Sequence, residues 1–342
     1  MIEEKTIKNN EYEENKEEYD IFGLGSPLLD AIVKVDETHL LDMNLKKGSM
    51  HLIDSEKIDK TIEQLEKKQI TFIPGGDIVN TVRGVVNLGG KGIFCGKVGV
   101  DKHGLMIEQK LINDGVKASL VKGKTGTGTC ISLVTPDFER TFLTNLGAAI
   151  TIEEKELLAE DIKRSKIVYL SGYILEAANL RATAIKALNE AKRLGKLVAI
   201  DLADPSLVTR CKEDLKEIVM DYADILFANE SEAEAFTGLP PIQATEELGK
   251  YAQIAIVKIG KEGSLLNVRG KIETIKGFKA NAVDTTGAGD MFAAGFIYGI
   301  THNKTEKEAA IIGSYVVSKI VEELGGRLSN KIDVEKISLT QE

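Results

Sequence analysis

The sequence predicts an α/β fold in which a doubly wound, mostly parallel sheet carries helices on both faces. Three observations lead there. From Glu153 onward, near-continuous apolar runs at Ile167–Leu170, Leu197–Leu202, Ile225–Ala228 and Ile254–Ile259 alternate with longer helical stretches, the pattern of parallel strands buried on both sides. Twice, at Phe72–Gly90 and at Val283–Ile300, an extended run turns through glycines into an apolar helix. The 342 residues hold no internal repeat and no low-complexity linker, so one large domain with a small appendage accommodates them.

Composition narrows the partners. The formal charge of −9 argues against nucleic acid, whose phosphates are bound by net positive surfaces. Eight acids and three lysines fall in residues 1–20, so much of that charge is local. No apolar run reaches the roughly 18–20 residues of a membrane span, and no secretory signal opens the chain. Cys95, Cys130 and Cys211 are widely spaced and form no metal-binding pattern, which suggests a reducing, cytoplasmic setting.

In chain order, residues 1–18 form a charged tail with few apolar anchors, expected to be disordered. Tyr19–Gly25 reads as the first strand. Its G-L-G-S lacks the third glycine of a dinucleotide fingerprint, and Pro27 stands where the helix would begin, so a dehydrogenase is set aside; no P-loop motif occurs either. Leu28–Asp36 and Ser49–Ile53 are short β-type runs around a helical piece near Glu37–Leu45, and Ser55–Lys68 is a second helical insertion. Phe72–Gly90 ends a strand, turns at Gly75-Gly76 and enters a helix with Val79, Val82, Val86 and Leu88 as apolar positions. Gly92–Val98 is a buried strand, and Asp101–Asn113 a helix ended by Gly115. Thr125–Ala149 reads as a hairpin turning at Pro136-Asp137. In the parallel half, Asp201, Asn229, Lys258 and Gly260 sit at strand carboxyl ends, where such sheets bind ligands. Asn229 with Glu232 has capping-box spacing, as do Thr151/Glu154 and Thr305/Glu308. The last helix, Thr305–Leu324, ends at Gly325-Gly326.

Val283–Ile300, V-D-T-T-G-A-G-D-M-F-A-A-G-F-I-Y-G-I, organises the rest. Phe292, Gly295, Phe296 and Gly299 recur at the spacing of a buried helix face. Glycines before a helix leave amides open to an anion, and the dipole adds positive charge there. Asp290 in the first turn suits a helix start, and it also puts a carboxylate beside that anion site. D-T-T-G-A-G-D-x-F-x-A-G-F resembles the second signature of the ribokinase-like (PfkB-type) carbohydrate and purine kinases. Gly75, Gly76 and Asn80, read with Gly99 and Gly104, resemble the first.

The resemblance covers about Tyr19–Arg327 and implies a ribokinase-like kinase domain over 19–330. A discontinuous β-sheet lid would come from about 28–54 and 125–148, with a C-terminal tail over 331–342. It implies ATP-dependent phosphorylation of a primary hydroxyl. Asp290 would be the base, and Gly287, Ala288 and Gly289 the anion hole. Gly75, Gly76 and Asn80 would hold the acceptor. Asp30 would grip sugar hydroxyls unless it is a turn aspartate, and Arg140 would contact substrate or phosphate unless it is a surface strand arginine. Asn229, Glu232, Lys258, Gly260 and Gly263 would form the nucleotide side. There Glu232 would organise Mg²⁺ through water, or simply cap its helix. Potassium, where required, would take Asp284 and the Thr286 carbonyl.

The acceptor expected is adenosine, from the resemblance of G-x-P-L-L-D, the T-G-T-C run and A-D-I-L-F-A-N-E-S-E-A to the adenosine kinase branch. Ribose, fructose or a related neutral sugar is the alternative, and a catalytically silent nucleotide-binding regulator a third reading. Ser26 and Asp77 depart from the adenosine kinase pattern. A carboxylate at Asp77, if it faces the pocket, disfavours an acceptor that is already phosphorylated. Partners are then the small-molecule acceptor and ATP, in a monomer or homodimer.

Overall fold

Asp20 fixes where the chain joins the main sheet. Its carboxylate accepts from the Lys91 amide at 2.8 Å and from Lys166 Nζ at 2.8 Å, beside β1 (Tyr19–Leu24). The computed structural model describes residues 18–65, 68–137, 139–323 and 331–339. The expected acidic tail up to residue 17 and the Gly325-Gly326 helix stop lie outside the described residues.

From β1 the chain crosses to a smaller sheet through β2 (Leu28–Lys34), α1 (Glu37–Asp42), β3 (Met50–Leu52), α2 (Ser55–Leu65) and β4 (Ile70–Gly75). It returns by α3 (Asp77–Asn87), β5 (Gly92–Gly99), α4 (Lys102–Asn113) and β6 (Lys117–Gly123). A second visit makes the hairpin β7 (Thr127–Val134) and β8 (Arg140–Gly147). Then come α5 (Ala159–Lys163), β9 (Ser165–Ser171), α6 (Ala178–Arg193), β10 (Leu197–Asp201), α7 (Pro205–Arg210) and α8 (Lys212–Tyr222). They are followed by β11 (Ile225–Asn229), α9 (Glu230–Thr237), α10 (Pro241–Leu248) and β12 (Ile254–Lys258). The hairpin β13 (Gly263–Val268) and β14 (Lys271–Lys276) precedes the last two helices, α11 (Ala288–Thr301) and α12 (Glu306–Ile320).

The main sheet runs β14-β13-β12-β11-β10-β9-β1-β5-β6, parallel from β12 to β6 and antiparallel at β13 and β14. Strand alternation sends side chains to two cores. Phe22, Leu24, Val168, Leu170, Ile200 and Leu226 pack under α6 to α10. Ile21, Ile167, Tyr169, Phe227 and Ile256 pack under α3, α4, α11 and α12. β6, β13 and β14 were not among the expected strands: lysines interrupt β6 and β14, so neither reads as an apolar run. α11 is buried nearly all round, as an apolar helix without a polar face must be.

The smaller sheet runs β3-β8-β7-β2-β4. It draws on both expected lid segments and also on β4, which lies beyond 28–54. One face is apolar and already covered. Ala31, Val33, Ile131, Leu133 and Leu143 pack against Leu40 of α1 and Ile58 and Leu65 of α2. The hairpin turns where Pro136-Asp137 predicted, with the Thr135 amide bonded to the Glu139 carbonyl at 3.0 Å.

Two expected caps differ in outcome. Thr305 and Glu308 form a capping box. Thr151 does not cap with Glu154; its hydroxyl donates to the Ala148 carbonyl, and Glu153 with Glu156 makes the box instead. Among the described residues no helix is long and apolar enough to cross a membrane.

Candidate active site

β9 to β12 end on one side of the main sheet, and a cleft of about 580 Å³ opens there, within the size range of nucleotide and cofactor sites. The start of α11 forms one wall. Gly287 takes a left-handed conformation at φ 70° and serves as its N-cap. The Ala288 amide is held by the Thr285 carbonyl at 3.1 Å and the Thr286 amide by Asp284 at 2.9 Å. The Gly289 and Asp290 amides have no backbone partner among the described residues, as first-turn amides of a helix generally lack one. Gly287, Ala288, Gly289 and Asp290 all line the cleft.

Asp290 is positioned from a second helix. Asn80 Nδ2, on α3, donates to Asp290 Oδ2 at 2.9 Å. α3 can start where it does because Gly76 adopts φ 111°, and a Cβ there would stand 2.5 Å from the Ser26 carbonyl oxygen. Burial and then the nearby Asp77 charge push the Asp290 carboxyl up to about 8, against the Asn80 hydrogen bond and Lys258, which pull it back. A carboxylate so shifted is a stronger base than an exposed one, the usual way a site prepares a proton acceptor.

The opposite wall comes from the strand ends. Lys258 Nζ bonds Asp201 Oδ2 at 2.9 Å, and a Cβ on Gly289 would lie 3.2 Å from that Nζ. The lysine thus sits at the mouth of α11. Asn229 and Glu232 close a full capping box. The Asn229 amide and Nδ2 donate to Glu232 at 2.7 and 2.6 Å, and the Glu232 amide donates to Asn229 Oδ1 at 2.8 Å. Burial carries Glu232 up to about 7 despite the Lys258 charge. Burial works against the Lys258 charge too, but Asp201 and Glu232 outweigh it and raise its proton affinity.

A base, an amide-lined helix start and a lysine around one cleft suit transfer of an anionic group to a hydroxyl. The sequence pattern of the pfkB family carbohydrate kinases matches residues 42–333. The chain belongs to the pfkB carbohydrate kinase family. It is therefore a phosphotransferase acting on a hydroxyl group, in a family that implies ATP as donor and usually Mg²⁺. Adenosine kinase of Saccharomyces cerevisiae is 29% identical over 92% of this chain and 98% of its own length. Fructokinase-2 of Solanum lycopersicum is 30% identical over 70% of this chain and 76% of its own. The crystal structure of adenosine kinase from Sinorhizobium meliloti superposes with a TM-score of 0.86 at 28% identity, covering 92% of this chain and 97% of that one.

Several pfkB-type site residues stand back from the cleft wall. Asp30 lies on β2 with Gly75 packed against its carboxylate, and neither lines the cleft. Gly263 abuts the Ile275 carbonyl of β14 and serves the hairpin, whereas Gly260 lines the cleft. Arg140 is no surface residue. From β8 it pairs with Asp284 and donates to Ser132 Oγ at 3.1 Å, tying the small sheet to the loop that leads into α11. Phe142, two residues on, reaches the cleft itself. Asp77 does face the cleft, as its sequence reading left open, and Tyr169, Tyr173 and Phe142 line it without having been expected there. Tyr169 and Phe142 read as ordinary strand residues in sequence, and Tyr173 follows the end of β9. Asp77 carried a signal as a departure from the usual residue after the glycine pair.

Proposed function

We propose that the chain phosphorylates adenosine on the primary hydroxyl of its ribose, taking the γ-phosphoryl of ATP and giving AMP and ADP. The observation that carries this is the Asp290 carboxylate, buried in the cleft, held by Asn80 and set beside the open amides of α11. Alignment with adenosine kinases over nearly the full chain supplies the acceptor. Asp290 takes the hydroxyl proton as the acceptor oxygen attacks the γ-phosphorus. The bond to the bridging oxygen breaks and ADP leaves. The Gly287–Gly289 turn and Lys258 face the charge on the transferred group. Asn80 holds the base in place, and Asp30, set back on the small sheet, meets the ribose only as that sheet closes over the cleft. The small sheet, with Phe142 in the cleft, acts as a lid that excludes water, the competing acceptor.

The donor set suits a Mg²⁺ carried chiefly by the nucleotide. Among the described residues no cluster of three or more metal-ligating side chains occurs, and Mg²⁺ typically keeps several waters. Glu232 still has lone pairs to offer through water, although Asn229 takes one on each oxygen. When bound, the ion neutralises phosphate charge. Potassium fits less well: Asp284 already meets the Arg140 guanidinium and the Thr286 amide, so no step runs through it. Three free cysteines accord with a reducing compartment and so with purine salvage in the cytoplasm.

The similarity to a fructokinase favours one second reading, a neutral sugar as acceptor. Coupled ADP release measured over adenosine, ribose, fructose and phosphorylated sugars separates them. Adenosine should lead, and a preference for a hexose of more than about tenfold, or roughly 1.4 kcal/mol, overturns the assignment. Asp290→Asn should lower turnover about 10²–10⁴-fold while the chain still folds and binds ATP.

A further inference from the structure

We propose that Asp77 reads the acceptor: its carboxylate accepts a hydrogen bond from a hydroxyl of an uncharged acceptor and excludes acceptors that already carry phosphate. The inference rests on the kinase reading of the cleft and names the specificity residue within it.

Asp77 is the first residue of α3, directly after Gly76, and it lines the cleft together with Asp290. Residues three apart share a helix face. Asn80, three residues on, touches Asp290, so Asp77 looks toward the same point where the phosphoryl group is handed over. α3 and α11 begin side by side there, with the bare Cα of Gly84 packed on Ala294 and Met291.

The chemistry of the carboxylate is unfinished. Its Oδ2 is cut off from solvent and meets no donor among the described residues. The Ser171 hydroxyl beside the group eases only part of the cost of its burial. An unsatisfied buried acceptor is a cost that proteins rarely keep without use. No donor meets that oxygen among the described residues, and a ligand hydroxyl can supply one once the oxygen turns into the cleft that the residue lines. A hydroxyl brings one and a phosphate does not.

No cation stands by to offset a second anion. Lys258 is the one lysine or arginine among the described residues that line the cleft, and it is paired with Asp201. Arg140 is engaged with Asp284. A role confined to the helix start is the rival account, since an acidic first-turn residue favours the dipole. Gly76, not Asp77, is the N-cap and no side-chain cap bond is made there, so a helix-start role would rest on the dipole alone while setting a second charge beside Asp290 and Asp201.

The test uses the full chain, with Asp77→Asn and Asp77→Ser compared with wild type by ADP release. Adenosine is set against adenosine 3′-monophosphate, which keeps the primary hydroxyl and adds a phosphate. Both variants should raise the KM for adenosine about 10-fold, the loss of one strong hydrogen bond. The KM for ATP should hold, and kcat, read well above pH 8 where the Asp290 base is ionised with or without the Asp77 charge, should stay within about threefold. The wild-type preference for the uncharged acceptor should narrow by about 10-fold or more. If the wild type favours a sugar instead, fructose and fructose 6-phosphate take the places of the two nucleosides. A helix-start role alone would lower the melting temperature and leave KM and preference where they were; that result overturns the proposal and spares the kinase reading. A wild type that releases no ADP with any of these acceptors overturns both.

Discussion

Asp290 is the expected working base of the site. With its proton held up to about 8 by burial and by Asp77, the free enzyme carries the base mostly protonated at neutral pH. A base must be unprotonated to act, so kcat/KM for the acceptor should rise with pH and level off only above about 8. Removing the Asp77 charge should move that limb to lower pH. A pH–rate profile flat from 6 to 9, with substrate binding shown to be constant, would contradict the base assignment. Much of this was legible at the level of single residues. The D-T-T-G-A-G-D run fixes Asp290 and the open amides through local geometry alone. What it cannot fix is company. Asn80 lies 210 residues away, and the Lys258–Asp201 pair joins positions 57 apart. Arg140 could not be told from a surface strand arginine because its partner, Asp284, is 144 residues distant.

Among the elements, the contact between α3 and α11 sets the geometry of catalysis. A Cβ on Gly84 would sit 2.6 Å from the Ala294 Cβ and 2.8 Å from the Met291 methyl. Gly84→Val should therefore wedge the two helices apart and cost about 1–3 kcal/mol, as overpacked cores do. It should also lower kcat, because Asn80 lies one turn upstream. Equal loss of stability with unchanged kcat would show that the two helix starts are aligned by something else. The parallel strands were readable because burial on both sides makes them continuous apolar runs. β14 was not, since it is an edge strand that alternates with polar residues and carries lysines. β4 read only as the end of a strand before the glycine turn, with no sheet assigned. Only its antiparallel pairing with β2 assigns it to the small sheet, and pairing leaves no local mark in sequence.

For the whole molecule, the decisive feature is which surfaces are already covered. α1 and α2 bury the apolar face of the small sheet, leaving no wide greasy plate for a second copy. The chain should sediment at the mass of one copy at micromolar concentration; a stable dimer would require an interface elsewhere, typically burying more than about 1,000 Å². The doubly wound architecture was predictable from alternation alone. The two helical insertions, at Glu37–Leu45 and Ser55–Lys68, were legible in the sequence; the face they bury was not, because it is set by contacts with β7 and β8 far along the chain.

The ion pair between Arg140 and Asp284 bears on how such a molecule idles. It ties the small sheet, the proposed lid, to the loop that leads into α11. Any swing that lets substrates in has to undo that tie, and charges parted inside a protein are costly until water or a ligand reaches them. On the proposed lid reading, the resting molecule would behave as a door kept on its latch: rarely ajar, and slow to admit cargo unless the cargo itself lifts the catch.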